Sequence, residues 1–196
     1  LHHVYGIIDE KKRGYTMNIW HDISSKRINS EDFYAVVEIQ KGSKTKYELD
    51  KETGMLVLDR ILSTSTHYPA NYGFIPRTYG DDNDPLDVLI LCSEPIVPMT
   101  LVRCYPIGVF SMIDNGRKDS KIIAIPFTDP SYNGYTDVSE LPKHIFLEMT
   151  HFFSVYKELE EVETEVTEVE GRKKAILTIQ KEIERYNEVF CSKVCD

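Results

Sequence analysis

Short apolar or alternating runs recur from Tyr34 to Ile125, and apolar residues then fall at helical spacing after Pro142 and again from Arg172. The pattern predicts strands first and helices last. Tyr34–Gln40 is rich in β-formers, Gly42-Ser43 turns the chain, and Lys46–Asp50 alternates with period two. Lys51-Glu52-Thr53-Gly54 reads as a turn and Met55–Asp59 as the returning strand, which together make a hairpin. In that hairpin Lys46 and Glu48 share one face and Tyr47 and Leu49 the other. Adjacent opposite charges are ordinarily an exposed, weakly coupled pair, and they acquire chemical interest only if their face lines a cavity. Tyr68–Phe74 reads as an aromatic turn. Further strands are expected at Val88–Leu91, Leu101–Tyr105, Ile107–Met112 and Lys121–Ile125, broken by Pro95, Pro98, Pro106 and Pro126. Short strands punctuated by Pro and Gly predict a small closed barrel.

Pro142 suits a first helical turn, and Ile145, Met149, Phe152, Phe153 and Tyr156 then fall on one helical face. The acidic stretch from Glu158 to Glu170 reads as a surface excursion. From Arg172 a second amphipathic helix carries Ile176, Ile179, Ile183, Tyr186 and Phe190 along one side. Both stripes are expected to pack against the core rather than to hold a cofactor. The expected class is α+β, mainly β, as one domain over 1–196: a polar arm around Trp20 (1–30), a barrel part (31–135) and a helical part (136–196).

A length of 196 residues is enough for one domain with a proper core. No apolar run approaches the ~20 residues of a membrane-spanning helix. The net charge of −9 argues against a nucleic-acid partner and is compatible with collecting metal cations. Cys92 and Cys104 fall in apolar runs expected to bury free thiols, and Cys191 and Cys195 have no zinc-type pairing. Reduced cysteines place the expected location in the cytoplasm, or in an organelle if a targeting segment precedes Leu1.

The chemistry concentrates in Asp81-Asp82-Asn83-Asp84-Pro85-Leu86-Asp87, directly before an apolar strand. Carboxylates this close repel one another unless cations lie between them, and hard divalent ions such as Mg²⁺ want oxygen ligands. Pro85 stiffens the turn that presents them. A solvated acidic turn is the plain alternative. A calcium-binding EF-hand loop is not one, because Asp87 replaces the required glycine and Ser93 the closing glutamate. A second acidic turn, Asp114–Lys121, contains the ordinary hairpin signal Asp-Asn-Gly. In a barrel, however, two such turns can meet at one mouth. Lys46, Arg60, Lys121 and Lys157 lie at the ends of expected elements, and Arg60 suits forked contacts to phosphate oxygens. Carboxylates for metal, facing cations and tyrosine hydroxyls point to a Mg²⁺-dependent enzyme acting on phosphates.

These stretches resemble the family I soluble inorganic pyrophosphatases, from about Val36 to Lys157, with flanks most similar to plant-type members. Asp82–Val88 matches the family signature aspartate-x-aspartate-proline-x-aspartate. Support comes from Val37-Glu38-Ile39, Lys46-Tyr47-Glu48, Asp59-Arg60, Tyr68-Pro69-x-Asn71-Tyr72-Gly73, Asp114 with Asp119 and Lys121, and Phe152-Phe153-x-x-Tyr156-Lys157. The resemblance implies an OB-like five-stranded barrel with two packed helices, and hydrolysis of pyrophosphate to two phosphates with no covalent intermediate.

By the same resemblance, Asp82, Asp87 and Asp119 would ligate the tightest of several Mg²⁺ ions, with Asp87 reaching a second. Asp114 would join Asp119 on a third ion that arrives with substrate, and Glu38 would lie nearby as an outer ligand. Asp84 is the implied base for the attacking water. Lys46, Arg60, Tyr156 and Lys157 would hold phosphate oxygens with help from Tyr72 and Lys121, while Glu48 and Tyr68 support them from behind. Asn115 stands where bacterial members often carry an acid, so no metal role passes to it. His151 matches the first of two histidines at the bacterial trimer contact, but Val155 replaces the second. A homo-oligomer is implied, with hexamer, dimer and monomer left open. The competing readings are cleavage of another phosphoanhydride, an oligonucleotide-binding barrel, and a Mg²⁺-binding protein without activity.

Overall fold

Runs of β-branched and aromatic residues become strands because both of their faces find apolar neighbours. A computed structural model of the chain describes residues 17–114, 116–160 and 164–191, and for Asp114, Arg117, Lys118, Thr164, Glu165 and Thr167 the backbone alone. The strands are β1 (Phe33–Ile39), β2 (Thr45–Leu49), β3 (Leu56–Ile61), β4 (Asn71–Phe74), β5 (Asp87–Ile90), β6 (Leu101–Asp114), β7 (Arg117–Pro126) and β8 (Thr164–Gly171). Hydrogen-bonded neighbours run β1-β4-β5-β7-β6, and β6 returns to β1, so five strands close a ring as expected. The β2–β3 hairpin forms a separate two-stranded sheet.

Successive residues of the ring strands face two different cores, which explains why these strands read as unbroken apolar runs. Leu89 and Ile123 pack toward Phe152 and Phe153 of α2 (Lys143–Val155), whereas Val88, Ile90, Ile122 and Ala124 pack toward Ala175 and Ile179 of α3 (Arg172–Tyr186). A third cluster joins Trp20 of the short α1 (Ile19–Asp22) to Val36, Leu49, Phe74 and Tyr186. Where β4 crosses β1, a Cβ on Gly73 would stand 1.8 Å from the Val36 carbonyl oxygen, so only glycine lets the two strands meet.

Three expectations are corrected. Pro106 does not end a strand: β6 continues through it and absorbs the missing N–H in a register shift between Pro106 and Gly108. The acidic stretch before Gly171 is no simple excursion, because Thr164–Gly171 pairs along β6 as β8. Its apolar positions packed on the core are few, Val166 and Val169, while Glu168 is exposed and Glu170 half-buried, which hides the period. The buried line of α3 runs Ala175, Ile179, Glu182, Tyr186, so the expected stripe gains a buried glutamate beside the half-buried Ile183, and Phe190 falls in the π-helical turn that follows α3. Cys104 is a buried free thiol, Cys92 and Cys191 are also free, and Cys195 and Asn115 lie outside the described residues. Among the described residues no helix is long and apolar enough to cross a membrane.

Candidate active site

The site grows from the parallel pair β5–β7, which sets Asp87 opposite Lys121. Lys121 Nζ lies 2.7 Å from Asp87 Oδ2 and 2.9 Å from Asp119 Oδ2, with its side chain only 3% exposed. From β4 the Tyr72 hydroxyl donates to Asp87 Oδ2 and accepts from Lys121 Nζ at 3.1 Å. Burial disfavours charge on Lys121, but the Asp119 and Asp87 carboxylates outweigh it and hold its pKa well above the ordinary lysine value. Burial, followed by the Asp87 charge, drives the Tyr72 phenol upward. The centre is therefore an ammonium ion bridging two carboxylates, with a neutral phenol beside it.

The signature loop is folded by its own backbone. Gly80 N donates to Asp84 O at 2.7 Å, Asn83 N to Gly80 O at 3.2 Å, and Asp84 N to Asp82 Oδ1 at 3.0 Å. A Cβ on Gly80 would stand 2.8 Å from Asp82 Oδ1, and Asn83 takes the left-handed conformation (φ 73°) that asparagine tolerates. Thr78 Oγ1 accepts from Leu86 N at 2.8 Å and joins the loop's exit to its entry. Burial raises the Asp82 pKa, and the nearby Asp87 and Asp84 charges add to it.

The β2–β3 hairpin supplies the opposite wall. Lys46 Nζ bonds Glu48 and lies 2.8 Å from Asp59 Oδ2; these hydrogen bonds overcome the effect of burial and raise its pKa. Arg60 stands across from Lys46 in the hairpin and shares Asp59, with Nη1 at 2.5 Å, while its Nε reaches Glu160 at 3.1 Å. Arg60 Nη2 is buried and has no hydrogen-bond partner among the described residues. Glu38 on β1 accepts from Leu49 N at 2.8 Å, and burial, then the Asp87 charge, pushes its pKa up to about 8.

One cleft of ≈ 270 Å³ gathers Glu38, Lys46, Glu48, Tyr72, Asp82, Asp84, Asp87, Asp119, Lys121, Tyr156 and Lys157. Tyr68 sits behind it, its ring 5.4 Å from that of Tyr72 and 4.9 Å from that of Phe152, and Arg60 lies outside its lining. Asp114 ends β6 opposite Arg117 in the expected hairpin, where Gly116 has φ 75°. Lys51 was not anticipated. It lines the cleft from the hairpin turn and forms an ion pair with Asp84. A lysine in a hairpin turn carries no local mark that it reaches a cleft.

Among the described residues no three acidic, imidazole or thiol side chains are already drawn together as a cage for an ion. Lys121 supplies the balancing charge between Asp87 and Asp119, and Lys51 does so for Asp84. A donor set made of carboxylate oxygens fits a hard divalent cation. A family model described as inorganic pyrophosphatase matches residues 35–187. The soluble inorganic pyrophosphatase 2 of Chlamydomonas reinhardtii is 45% identical over 178 residues, 91% of this chain and 93% of that protein. The Arabidopsis thaliana soluble inorganic pyrophosphatase 1 is 46% identical over 90% of this chain and 84% of its own length.

The chain belongs to the inorganic pyrophosphatase family.

A crystal structure of the inorganic pyrophosphatase from Thermus thermophilus superposes with a TM-score of 0.82 at 33% identity, over 87% of this chain and 99% of that one. The pyrophosphatase match takes in every site residue from Glu38 to Lys157 and also α3, but leaves out Trp20 and the arm.

Proposed function

We propose that this chain hydrolyses pyrophosphate to two orthophosphates with Mg²⁺, using the carboxylate wall of the cleft for metal and the cationic wall for substrate. The observation that carries the reading is the opposition, across one cleft, of Asp82, Asp84, Asp87 and Asp119 to Lys46, Tyr156 and Lys157. Asp82, Asp87 and Asp119 would hold the ions, with Glu38 as an outer ligand and Asp114 joining Asp119 on the ion that arrives with substrate. Bound Mg²⁺ supplies a lowered pKa for water and neutralises phosphate charge. Asp84 then accepts the proton of the attacking water, as befits a carboxylate on an exposed turn that can exchange partners. Lys46, Lys157 and Tyr156 orient the phosphates, and the spare Nη2 of Arg60 is a donor for an oxyanion. Tyr72 and Lys121 hold Asp87 and Asp119 in place, while Glu48 and Tyr68 back Lys46 and Tyr72.

Phosphate release by the purified protein tests this reading. Fast release is expected from pyrophosphate with Mg²⁺, little from ATP, none in chelator, and inhibition by Ca²⁺, whose longer and looser coordination misplaces the nucleophile. Equal rates with ATP, or undiminished activity without metal, overturn it. Free Cys92 and Cys104 support a reducing compartment such as the cytoplasm. The outer side of α2 offers exposed His151 and Leu147, the latter 63% exposed, with Phe146 and Val155 half-buried, which supports a homo-oligomer. Light scattering that finds a monomer at every concentration refutes the assembly and leaves the chemistry standing.

A further inference from the structure

The loop bearing Asp82, Asp84 and Asp87 has a second cavity on its far side. This one, of ≈ 230 Å³, lies between the loop and α3, with Asp82, Asp87 and Asp119 on one wall and Lys174, Thr178 and Lys181 on the other. The gap means that α3 holds the loop at points instead of along a packed face. Tyr79 N donates to Glu182 O at 3.1 Å. Arg185 Nη1 lies 2.5 Å from Asp81 Oδ1, and Lys181 Nζ lies 3.4 Å from Asp81 Oδ2. The Arg185 guanidinium also sits 4.9 Å from the centre of the Tyr79 ring, and the Tyr79 hydroxyl donates to Asn83 Oδ1 at 2.8 Å. Asp81 lines this outer cavity and not the catalytic cleft.

We propose that Arg185, seconded by Lys181, is a positioning residue: by holding Asp81 it fixes where Asp82 and Asp84 stand, and it turns one carboxylate of the loop away from the ions. The proposal rests on reading Asp82, Asp87 and Asp119 as metal ligands. Residues 80–84 are held by their own turn and by these tethers. The entropy of ordering them is therefore lost on folding and need not be lost again when metal binds.

For Arg185→Ala, Coulomb's law and positioning predict opposite signs, which makes that variant the sharp test. Arg185→Ala deletes a positive charge beside the metal carboxylates, so electrostatics alone tightens Mg²⁺ binding. Asp81→Asn deletes a negative charge, so electrostatics alone weakens it. Positioning predicts that both weaken it, each by about threefold to tenfold in Kd, less than the loss on removing a direct partner of a ligand. The double variant should then be no weaker than the weaker single variant. Arg185→Lys should recover part of the loss.

The measurement is calorimetric titration of Mg²⁺ into the full chain, with thermal melts confirming that each variant is folded. Should Arg185→Ala fail to fold, the deciding sign is read from Lys181→Ala, which also removes a positive charge from Asp81. Tighter or unchanged Mg²⁺ binding in Arg185→Ala, or in Lys181→Ala in its stead, overturns the proposal while leaving the proposed function intact. A wild-type protein that binds no Mg²⁺ overturns both.

Discussion

Two lysine–carboxylate contacts in one cleft differ in almost everything but their chemistry. Lys121 holds Asp87 and Asp119 from the middle of a strand, 3% exposed, with the rings of Tyr72 and Phe153 each 5.4 Å from its ammonium. Lys51 meets Asp84 from a hairpin turn with its side chain 50% exposed, and its carbonyl accepts from Asn18 Nδ2 at 3.0 Å. Removing one partner of a buried pair strands a charge in low dielectric, whereas an exposed pair trades its partner for water at little cost. The proposed metal ligands Asp87 and Asp119 thus belong to the contact that cannot relax, and the proposed base Asp84 to the one that exchanges freely. With the proposed roles, the rigid contact falls where ions would be held and the compliant one where a proton would move.

The largest expected effect falls on the compliant side. Asp84→Asn should lower turnover by about 10²–10⁴-fold while leaving Mg²⁺ affinity nearly unchanged, and Asp87→Asn should weaken Mg²⁺ binding itself. Calorimetry on both variants checks this, and equal metal affinities would erase the division of roles. Next comes the rigid side. Lys121→Met should cost about 3–5 kcal/mol in urea unfolding with chelator present, and less with saturating Mg²⁺, because the stranded carboxylates then have a counter-ion. An unfolding midpoint unchanged in chelator contradicts the picture.

A smaller effect depends on pH. Glu38 has its folded-state pKa raised from 4.5 to about 8, so the folded state binds this proton more tightly than the unfolded state does. Its stabilising contribution is full below the unfolded value and is lost as pH rises through the folded one. Metal-free protein should therefore lose stability between those two values, and Glu38→Gln should flatten that slope in denaturant midpoints. The smallest effect is that of Lys51→Ala, a stability change of about 0–1 kcal/mol. A loss as large as that for Lys121→Met would end the contrast.

Legibility in the sequence followed the physics of each segment. The loop from Asp82 to Asp87 was readable because its carboxylates are local, and the face shared by Lys46 and Glu48 because strand alternation is a rigid rule. Lys51 escaped because nothing local separates a lysine that reaches a cleft from one in solvent. Arg60 stood one residue from Asp59, which could not reveal that Arg60 would share Asp59 with Lys46 or that Glu160 would draw its Nε off. β8 was hidden because one of its faces is solvated and its apolar positions are sparse. Glu182 was missed because a buried acid defies the periodicity used to find buried residues, and the tethers from α3 to the loop depend on contacts about a hundred positions apart in the chain.

The chain contains one tryptophan, and its position has a practical use. Trp20 is 4% exposed, is stacked on His21 with ring centres 4.6 Å apart, and donates from Nε1 to the carbonyl of Thr78 at 2.9 Å. The Lys51 ammonium lies 5.6 Å from its ring and Phe190 meets it edge-on at 5.5 Å. Intrinsic indole emission therefore comes from a single point where the hairpin turn, the chain leading into the signature loop and the end of the last helix converge. The molecule carries its own optical gauge there, and a stopped-flow trace on mixing with Mg²⁺ would time the loop's response without any attached label.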